Sequence, residues 1–293
     1  MKVLALDIGG TNLRAAVVSD EGTVCAHERV PHGGADANDL ALRAAQSLLR
    51  LARQENVEAG ASVGVAVAGQ LHGEVVAMAP NLKWRDVPFG KLLSSQTGRR
   101  VKLVNDLSAA AWGEFSAGAS KGHRHVLTVF VGSGVGSAII ADGKLLEGAT
   151  GVAAELGHIK VERDGRLCGC GERGCLEAYA GGHNLEGWMR ETGILGTPAD
   201  LERAALGGNG DARRIYDFAS DALGLAVANQ VTVLNPSMVV LGGGVLMNCP
   251  EMLSRVRISI GRFASRHAGD AARVSTAALG DDSGLIGAGL LAL

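Results

Sequence analysis

Three of the chain's five cysteines fall within eight positions, Cys168-x-Cys170-x4-Cys175, in the stretch GRLCGCGERGCLEAY that runs from Gly165 to Tyr179. Glycines at 169, 171 and 174 let the backbone fold back tightly enough for three thiolates to converge on one point. In a reducing compartment, clustered cysteines serve more often as metal ligands or catalytic groups than as a disulfide framework. Ten residues before the first of them stands His158, in ELGHIKVERDGRLC. HIKVE reads as a strand, and a turn at Asp164-Gly165 would return the chain beside His158. Three thiolates and an imidazole make a closed tetrahedral zinc site, and soft sulfur ligands favour zinc over magnesium or calcium. The expected ligands are His158, Cys168, Cys170 and Cys175. The competing reading, three reduced structural cysteines, does not account for the interleaved glycines. Cys25 and Cys249 stand alone and are expected to be buried or half-buried.

A second kind of chemistry sits in the glycine turns. DIGGTNLR puts Asp7 at the end of an apolar stretch and Gly9-Gly10-Thr11 in a turn. Backbone N–H groups in such a turn can converge on an anion, because glycine removes the side-chain bulk that would block it. Asp7 could then face a metal–phosphate complex. VGSGVGS at 131–137 and VVLGGGVL at 239–246 repeat the arrangement after apolar runs. Any one of them alone reads as structural; three at the ends of core strands point to a nucleotide lying between two lobes. No G-x-x-x-x-G-K-[ST] is present, and GSGVGS lies between two strands, so neither the P-loop nor the dinucleotide fingerprint applies. LVNDLSAA places Asp106 where a strand runs into a helix. A carboxylate there can act as a general base, or Asn105 or Asp106 can simply cap the helix.

The elements that must hold these groups follow from hydrophobic period. KVLALDI, LRAAVVS and GTVCAHERV read as three antiparallel strands in a meander. DLALRAAQSLLRLARQ carries Leu40, Ala44, Leu48, Leu51 and Ala52 at helical spacing. ASVGVAVAG and VKLVND read as strands and LSAAAWGEFSAGA as a helix, giving βββαβαβα and an α/β layer architecture. HVLTVFVGSGVGSAIIADGKLLEG repeats the strand, glycine turn, strand, turn, strand order of residues 2–30 at a distance of about 120 residues, which suits two lobes of similar fold. DARRIYDFASDALGLAVANQVTVLNP is a long helix stopped before Pro236, SMVVLGGGVL and RVSTAAL are later strands, and SGLIGAGLLAL closes the chain as a helix. The expected lobes are 1–117, joined by a C-terminal helix over 281–293, and 118–280, with a hinge near 116–125.

Bulk composition sets the class. A chain of 293 residues with 47% hydrophobic residues can build a sizeable core. Its 43 glycines are about twice the usual share, which fits many tight turns and close backbone approaches. A net charge of −2 gives no general attraction to nucleic acid or to an anionic membrane. The first apolar run is broken at Asp7, too short for a signal-peptide core, and no stretch is long enough to span a bilayer, so the expected location is cytoplasmic.

LDIGGTNLRAAVV, VNDLSAAAWGE, GSGVGSAIIADGKLLEGATGVAAELGH and CGCGERGCLEAYAGG together resemble the ROK family of bacterial sugar kinases and related repressors, and within it the glucokinase-type members. The resemblance runs over essentially the whole chain. It implies the actin-like, RNase H-like two-lobe α/β ATPase fold with a cleft between the lobes. It implies ATP-dependent phosphorylation of a hexose at its 6-hydroxyl, glucose first, with Asp106 as the base that takes the hydroxyl proton. It assigns Gly69, Asn81 and Asn105 to sugar hydroxyls from the first lobe, and Glu155, His158 and Glu177 from the second. Asp7, Gly9, Gly10, Thr11, Gly132, Ser133, Gly134 and Gly243 would face ATP with its Mg2+, while structural Zn2+ fastens the loop carrying Glu155, His158 and Glu177. His158 would give one ring nitrogen to zinc and keep the other as an N–H donor. The partners are the small sugar and ATP, and the family suggests a homo-oligomer, dimer or tetramer. N-acetylmannosamine or N-acetylglucosamine kinase activity stays open beside glucokinase activity, as does a non-catalytic sugar-sensing regulator. Polyphosphate stays open beside ATP as donor. A first strand at Lys2 leaves no room before it for a helix-turn-helix domain, which favours kinase over repressor. Two departures from the family pattern stand out. Ser133 replaces the usual threonine of a Gly-Thr-Gly turn and keeps its hydroxyl; Ala68-Gly69-Gln70 replaces Pro-Gly-Pro and loses its rigidity.

Overall fold

The computed structural model describes all 293 residues. The chain gathers into two compact units, one made of Met1–Gly122, Glu147–Val152 and Ala278–Leu293, the other of His123–Leu146 and Ala153–Ala277. These bounds differ from the expected ones at 118–122, 147–152 and 278–280. Glu114, fully buried, is the cause at two of those places. Its carboxylate accepts from the N–H groups of Ala119, Ala278 and Leu279, which ties both segments to the first unit.

In the first unit, β1 (Lys2–Ile8), β2 (Asn12–Ser19) and β3 (Val24–Pro31) form the expected meander. Helix α1 (Ala37–Gln54) starts at Asp36, whose carboxylate accepts from the N–H groups of Asn38 and Asp39, and it buries Leu40, Ala44, Leu48 and Leu51. β4 (Val63–Val67) is buried throughout. A small antiparallel sheet of β5 (Gln70–His72), β6 (Val75–Ala79) and β7 (Trp84–Val87), with α2 (Phe89–Thr97), follows; the sequence reading had not separated these strands. β8 (Val101–Asn105) then runs into α3 (Asp106–Ser116). The main sheet has the order β3-β2-β1-β4-β8, with β4 parallel to β1 and β8.

The second unit repeats that plan. β9 (Val126–Val131), β10 (Val135–Ala141) and a two-residue β11 (Lys144–Leu145) form its meander. The helices are α4 (Glu177–Ala180), α5 (Gly182–Glu191), α6 (Pro198–Leu206) and α7 (Gly210–Leu234), the last stopped at Asn235 in a left-handed conformation. β12 (Met238–Gly242), α8 (Gly244–Asn248), α9 (Pro250–Phe263), α10 (Arg266–Ala271) and β13 (Arg273–Thr276) complete it. Its sheet order is β11-β10-β9-β12-β13, the same third-second-first-fourth-fifth order as in the first unit. The repeat visible in sequence is thus a repeat of topology. The chain finally returns to the first unit as α11 (Ser283–Leu291), where Leu285 and Ile286 pack with Val3, Ala5, Ala16 and Val18. No helix is long and apolar enough to cross a membrane.

Two local expectations change. HIKVE is not a strand. A 3₁₀ turn spans Leu156–His158, and only isolated bridges pair Lys160 with Cys175 and Leu167 with Arg173. Cys25 is exposed, because the edge strand β3 alternates its side chains and turns this one outward. Cys249 is fully buried.

Candidate active site

In the first unit, Ile8 is in register with Val67 and Val67 with Asn105. The residues that follow these three therefore emerge side by side at the carboxyl edge of the parallel strands, the edge where open α/β sheets bind ligands. They are Gly9-Gly10-Thr11, Ala68-Gly69 and Asp106. Asn81 joins them, since a side chain at Gly10 would come 3.8 Å from its Cβ. Asn105 is the N-cap of α3. Its Oδ1 accepts from the N–H groups of Leu107 at 3.0 Å and Ser108 at 3.2 Å, and its Nδ2 donates to the Gly69 carbonyl at 3.2 Å. Gly69 has no room for a side chain, because a Cβ there would lie 2.4 Å from the Met78 carbonyl oxygen. Asp106, half-buried, is the first residue of α3. Asp7 is paired with Arg14, whose Nη2 lies 2.5 Å from Asp7 Oδ2 and 2.6 Å from the Asp281 carbonyl.

In the second unit the turn Gly132-Ser133-Gly134 joins β9 to β10, and Gly243 follows β12. Gly243 has φ +88° and packs so closely on Val131 that a Cβ would lie 2.5 Å from its carbonyl oxygen. Glu177 lies beneath the turn. One of its oxygens accepts from the Val135 N–H at 2.9 Å, and the other lies 3.8 Å from Cys168 Sγ. Gly157 is pressed against the Val135 carbonyl, which fixes the 3₁₀ turn carrying Glu155 and His158. His158 Nε2 stands 3.7 Å from a Glu155 oxygen.

One ligand atom from each of His158, Cys168, Cys170 and Cys175 lies within 4.8 Å of every other. Zn–S bonds of about 2.3 Å at the tetrahedral angle require sulfurs about 3.8 Å apart. Cys170 Sγ and Cys175 Sγ are 3.8 Å apart, and Cys168 Sγ is 3.8 Å from His158 Nδ1. Donor type and spacing both fit zinc. Lys160 Nζ donates to Cys175 Sγ at 3.0 Å. Desolvation pushes the buried Cys168 thiol up to about 12.

A cavity of about 590 Å³ opens beside the same glycine turn. Gly132 and Ser133 line it at one side, Pro198, Ala199 and Val245 supply apolar wall, and Glu186 is a carboxylate on it. The first N–H groups of α5 donate to the Gly132 and Ser133 carbonyls, so Glu186, one helical turn on, is held at a fixed distance from the turn. Glu202 secures the far wall: its carboxylate accepts from Tyr216 Oη and from the Met252 N–H, both at 2.9 Å, at the start of α9. Sequence reasoning had not found Glu186 or the α6 and α8 walls. They carry no motif and meet only through the packing of helices distant in sequence.

The sequence pattern of the ROK family matches residues 3–293. A glucokinase of Streptomyces coelicolor is 33% identical over 308 residues, covering 99% of this chain and 96% of its own. An N-acetylmannosamine kinase of Citrobacter koseri is 34% identical over 296 residues, covering 100% and 99%. The crystal structure of a ROK family glucokinase from Streptomyces griseus in complex with glucose and AMPPNP matches with a TM-score of 0.80 at 32% identity, covering 99% of each chain.

Proposed function

The chain belongs to the ROK family, and from that premise we propose that it is an ATP-dependent hexose kinase, transferring the γ-phosphoryl group to the 6-hydroxyl of glucose. The observation that carries the catalytic assignment is the cap of α3. Asn105 already accepts from Leu107 and Ser108, so the carboxylate of Asp106 is not needed to cap the helix. Asp106 stands at the position that the family resemblance gives to the general base, beside a cap that Asn105 already supplies. Asp106 takes the proton of the 6-hydroxyl as that oxygen attacks the γ-phosphorus, and the bond to the bridging oxygen of ADP breaks. Positioning and charge stabilisation supply the rest of such a reaction.

In this reading Gly69, Asn81 and Asn105 bind sugar hydroxyls on the first unit, and Glu155, His158 and Glu177 on the second. Gly9, Gly10, Thr11, Gly132, Ser133, Gly134 and Gly243 receive the phosphates, with Mg2+ arriving on the nucleotide and Asp7 nearby. The adenosine occupies the cavity bounded by Glu186, Pro198 and Val245. His158, Cys168, Cys170 and Cys175 would hold one zinc, which would fix the imidazole of His158 so that its other ring nitrogen could donate to the sugar. The two units act as the lobes of the family fold, in a cytoplasmic homo-oligomer, dimer or tetramer.

N-acetylmannosamine kinase activity is the second reading, favoured by a relative of that activity at 34% identity. The deciding experiment measures kcat/KM for glucose, N-acetylmannosamine and N-acetylglucosamine, with ATP and with polyphosphate as donors. Glucose with ATP is expected to be fastest. An N-acetyl sugar ahead of glucose by about tenfold would overturn the glucose assignment, since that ratio is a 1.4 kcal/mol preference in transition-state binding.

A further inference from the structure

We infer that His32 is a positioning residue for the Gly9–Thr11 turn, and that it acts on the phosphoryl donor and not on the sugar. The inference rests on the reading of that turn as a phosphate site.

His32 follows directly on β3 and is only 4% exposed. Its ring Nε2 lies 2.9 Å from the Gly9 carbonyl oxygen. A carbonyl can only accept, so Nε2 carries the proton. The Gly34 N–H donates to Nδ1 at 3.3 Å, so Nδ1 carries none. Both bonds hold together only in the neutral Nε2–H tautomer. The backbone N–H of His32 also donates, at 3.1 Å, to the Thr11 carbonyl. One buried residue thus grips the turn at both ends.

The consequence for a ligand follows from the planar trans peptide, in which C=O and the next N–H point in opposite directions. With the Gly9 carbonyl held inward by the imidazole, the Gly10 N–H is turned outward. Gly9, Gly10 and Thr11 are all exposed, and beyond Asn81 nothing stands within 4 Å of where a Gly10 side chain would be. An outward N–H over a surface cleared by glycine is the donor that a phosphate oxygen needs. Without the imidazole the Gly9–Gly10 peptide loses that anchor, and the donor is lost or misaimed while Gly69 and Asn105 keep their own supports.

The test separates the two ring bonds with three variants. The Gln amide nitrogen sits as far from Cβ as Nε2 and can donate to Gly9. The Asn side chain reaches only the Nδ1 position and can accept from Gly34. For His32→Ala, kcat/KM for ATP is expected to fall about 10- to 100-fold, the usual range for misplaced binding groups, while KM for the hexose stays within about twofold. His32→Gln should recover most of that loss, and His32→Asn should not. Calorimetric titration of ADP against the same variants should show the same order. The inference is overturned if His32→Ala leaves ATP kinetics and ADP affinity unchanged, if hexose and donor affinity fall together, or if Asn rescues as well as Gln. Should His32→Ala fail to fold, the Gln and Asn pair still decides. A wild-type protein that binds ADP but phosphorylates no hexose would refute the kinase reading and leave this one to be judged on ADP binding.

Discussion

Substituting alanine for Gly287 puts a methyl group where the backbone of another helix already lies. Gly287 is on α11, and a Cβ there would come 1.6 Å from the Ala109 carbonyl oxygen and 2.7 Å from the Gly113 nitrogen of α3. Gly113 reciprocates, with its own Cβ position 2.4 Å from the Ser283 carbonyl oxygen. Real Cβ contacts fall below about 3.4 Å only under strain, so the two helices must part by nearly 2 Å, and backbone atoms cannot swing aside as a side chain can. Alanine gains about 1 kcal/mol of helix propensity over glycine. Overpacking into a filled core costs about 1–3 kcal/mol for side-chain overlaps, and backbone overlap lies at or beyond the top of that range. The net expectation is a loss of about 2–3 kcal/mol or more. At about 2–4 °C per kcal/mol for a domain of this size, Tm should fall by roughly 4–12 °C. Ala109 is one turn along α3 from Asp106, so kcat should fall with it. Two controls grade the argument. At Gly289 the nearest atoms are side-chain carbons at 3.2–3.4 Å, and at Gly284 the nearest atom is at 3.9 Å. Gly289→Ala should cost less than Gly287→Ala, and Gly284→Ala should be neutral or stabilising. Thermal unfolding by circular dichroism, with steady-state phosphoryl transfer on the same samples, reads all three. Equal losses at the three positions, or a Gly287→Ala protein that melts with wild type, would refute the steric reasoning.

The base assignment predicts that Asp106→Asn lowers kcat by about 10²–10⁴-fold while hexose affinity changes far less, and near-wild-type turnover would exclude Asp106 as the base. The metal assignment predicts about one zinc per chain by elemental analysis, as a closed four-ligand site requires. Cys170→Ser should lose that metal and weaken sugar binding with helical content retained; a fully active protein free of zinc would end the proposal.

The main sheets were legible because buried parallel strands announce themselves as short apolar runs. VLALDI, VGVAV and MVVL each became a central strand, and the two meanders gave away the repeat. β5–β7 were not separated because half-exposed strands of three to five residues carry too short a pattern to stand out. The metal box was legible in its ligands and not in its backbone. HIKVE has the alternation of a strand, but the cysteine loop meets it only through an isolated bridge from Lys160 to Cys175, so it folded as irregular chain. Buried polar supports left no trace at all. Glu114 reaches a residue 164 positions away and His32 one 23 positions away, and hydrogen bonds between such distant residues impose no period on the sequence.

The glycines make the same point more sharply, because one residue type serves three physical ends in this chain. At Gly287 it lets two helix backbones touch, and at Gly243 it permits φ +88° against the Val131 carbonyl. At Gly10 and Gly132 the φ angle is ordinary and the space in front is open, so neither strain nor packing calls for glycine there. What remains is clearance for something outside the chain. Counting glycines in sequence could not separate these cases, although Gly10, Gly132 and Gly243 were all candidates for the same phosphate-binding role. The two that carry neither a conformational nor a packing reason are the ones whose replacement should leave Tm unchanged and reduce affinity for ATP. Gly10→Ala and Gly287→Ala are therefore expected to fail in opposite assays, the first in donor binding alone and the second in stability. A Gly10→Ala protein that melted early yet bound ADP normally would show that the open space had been misread.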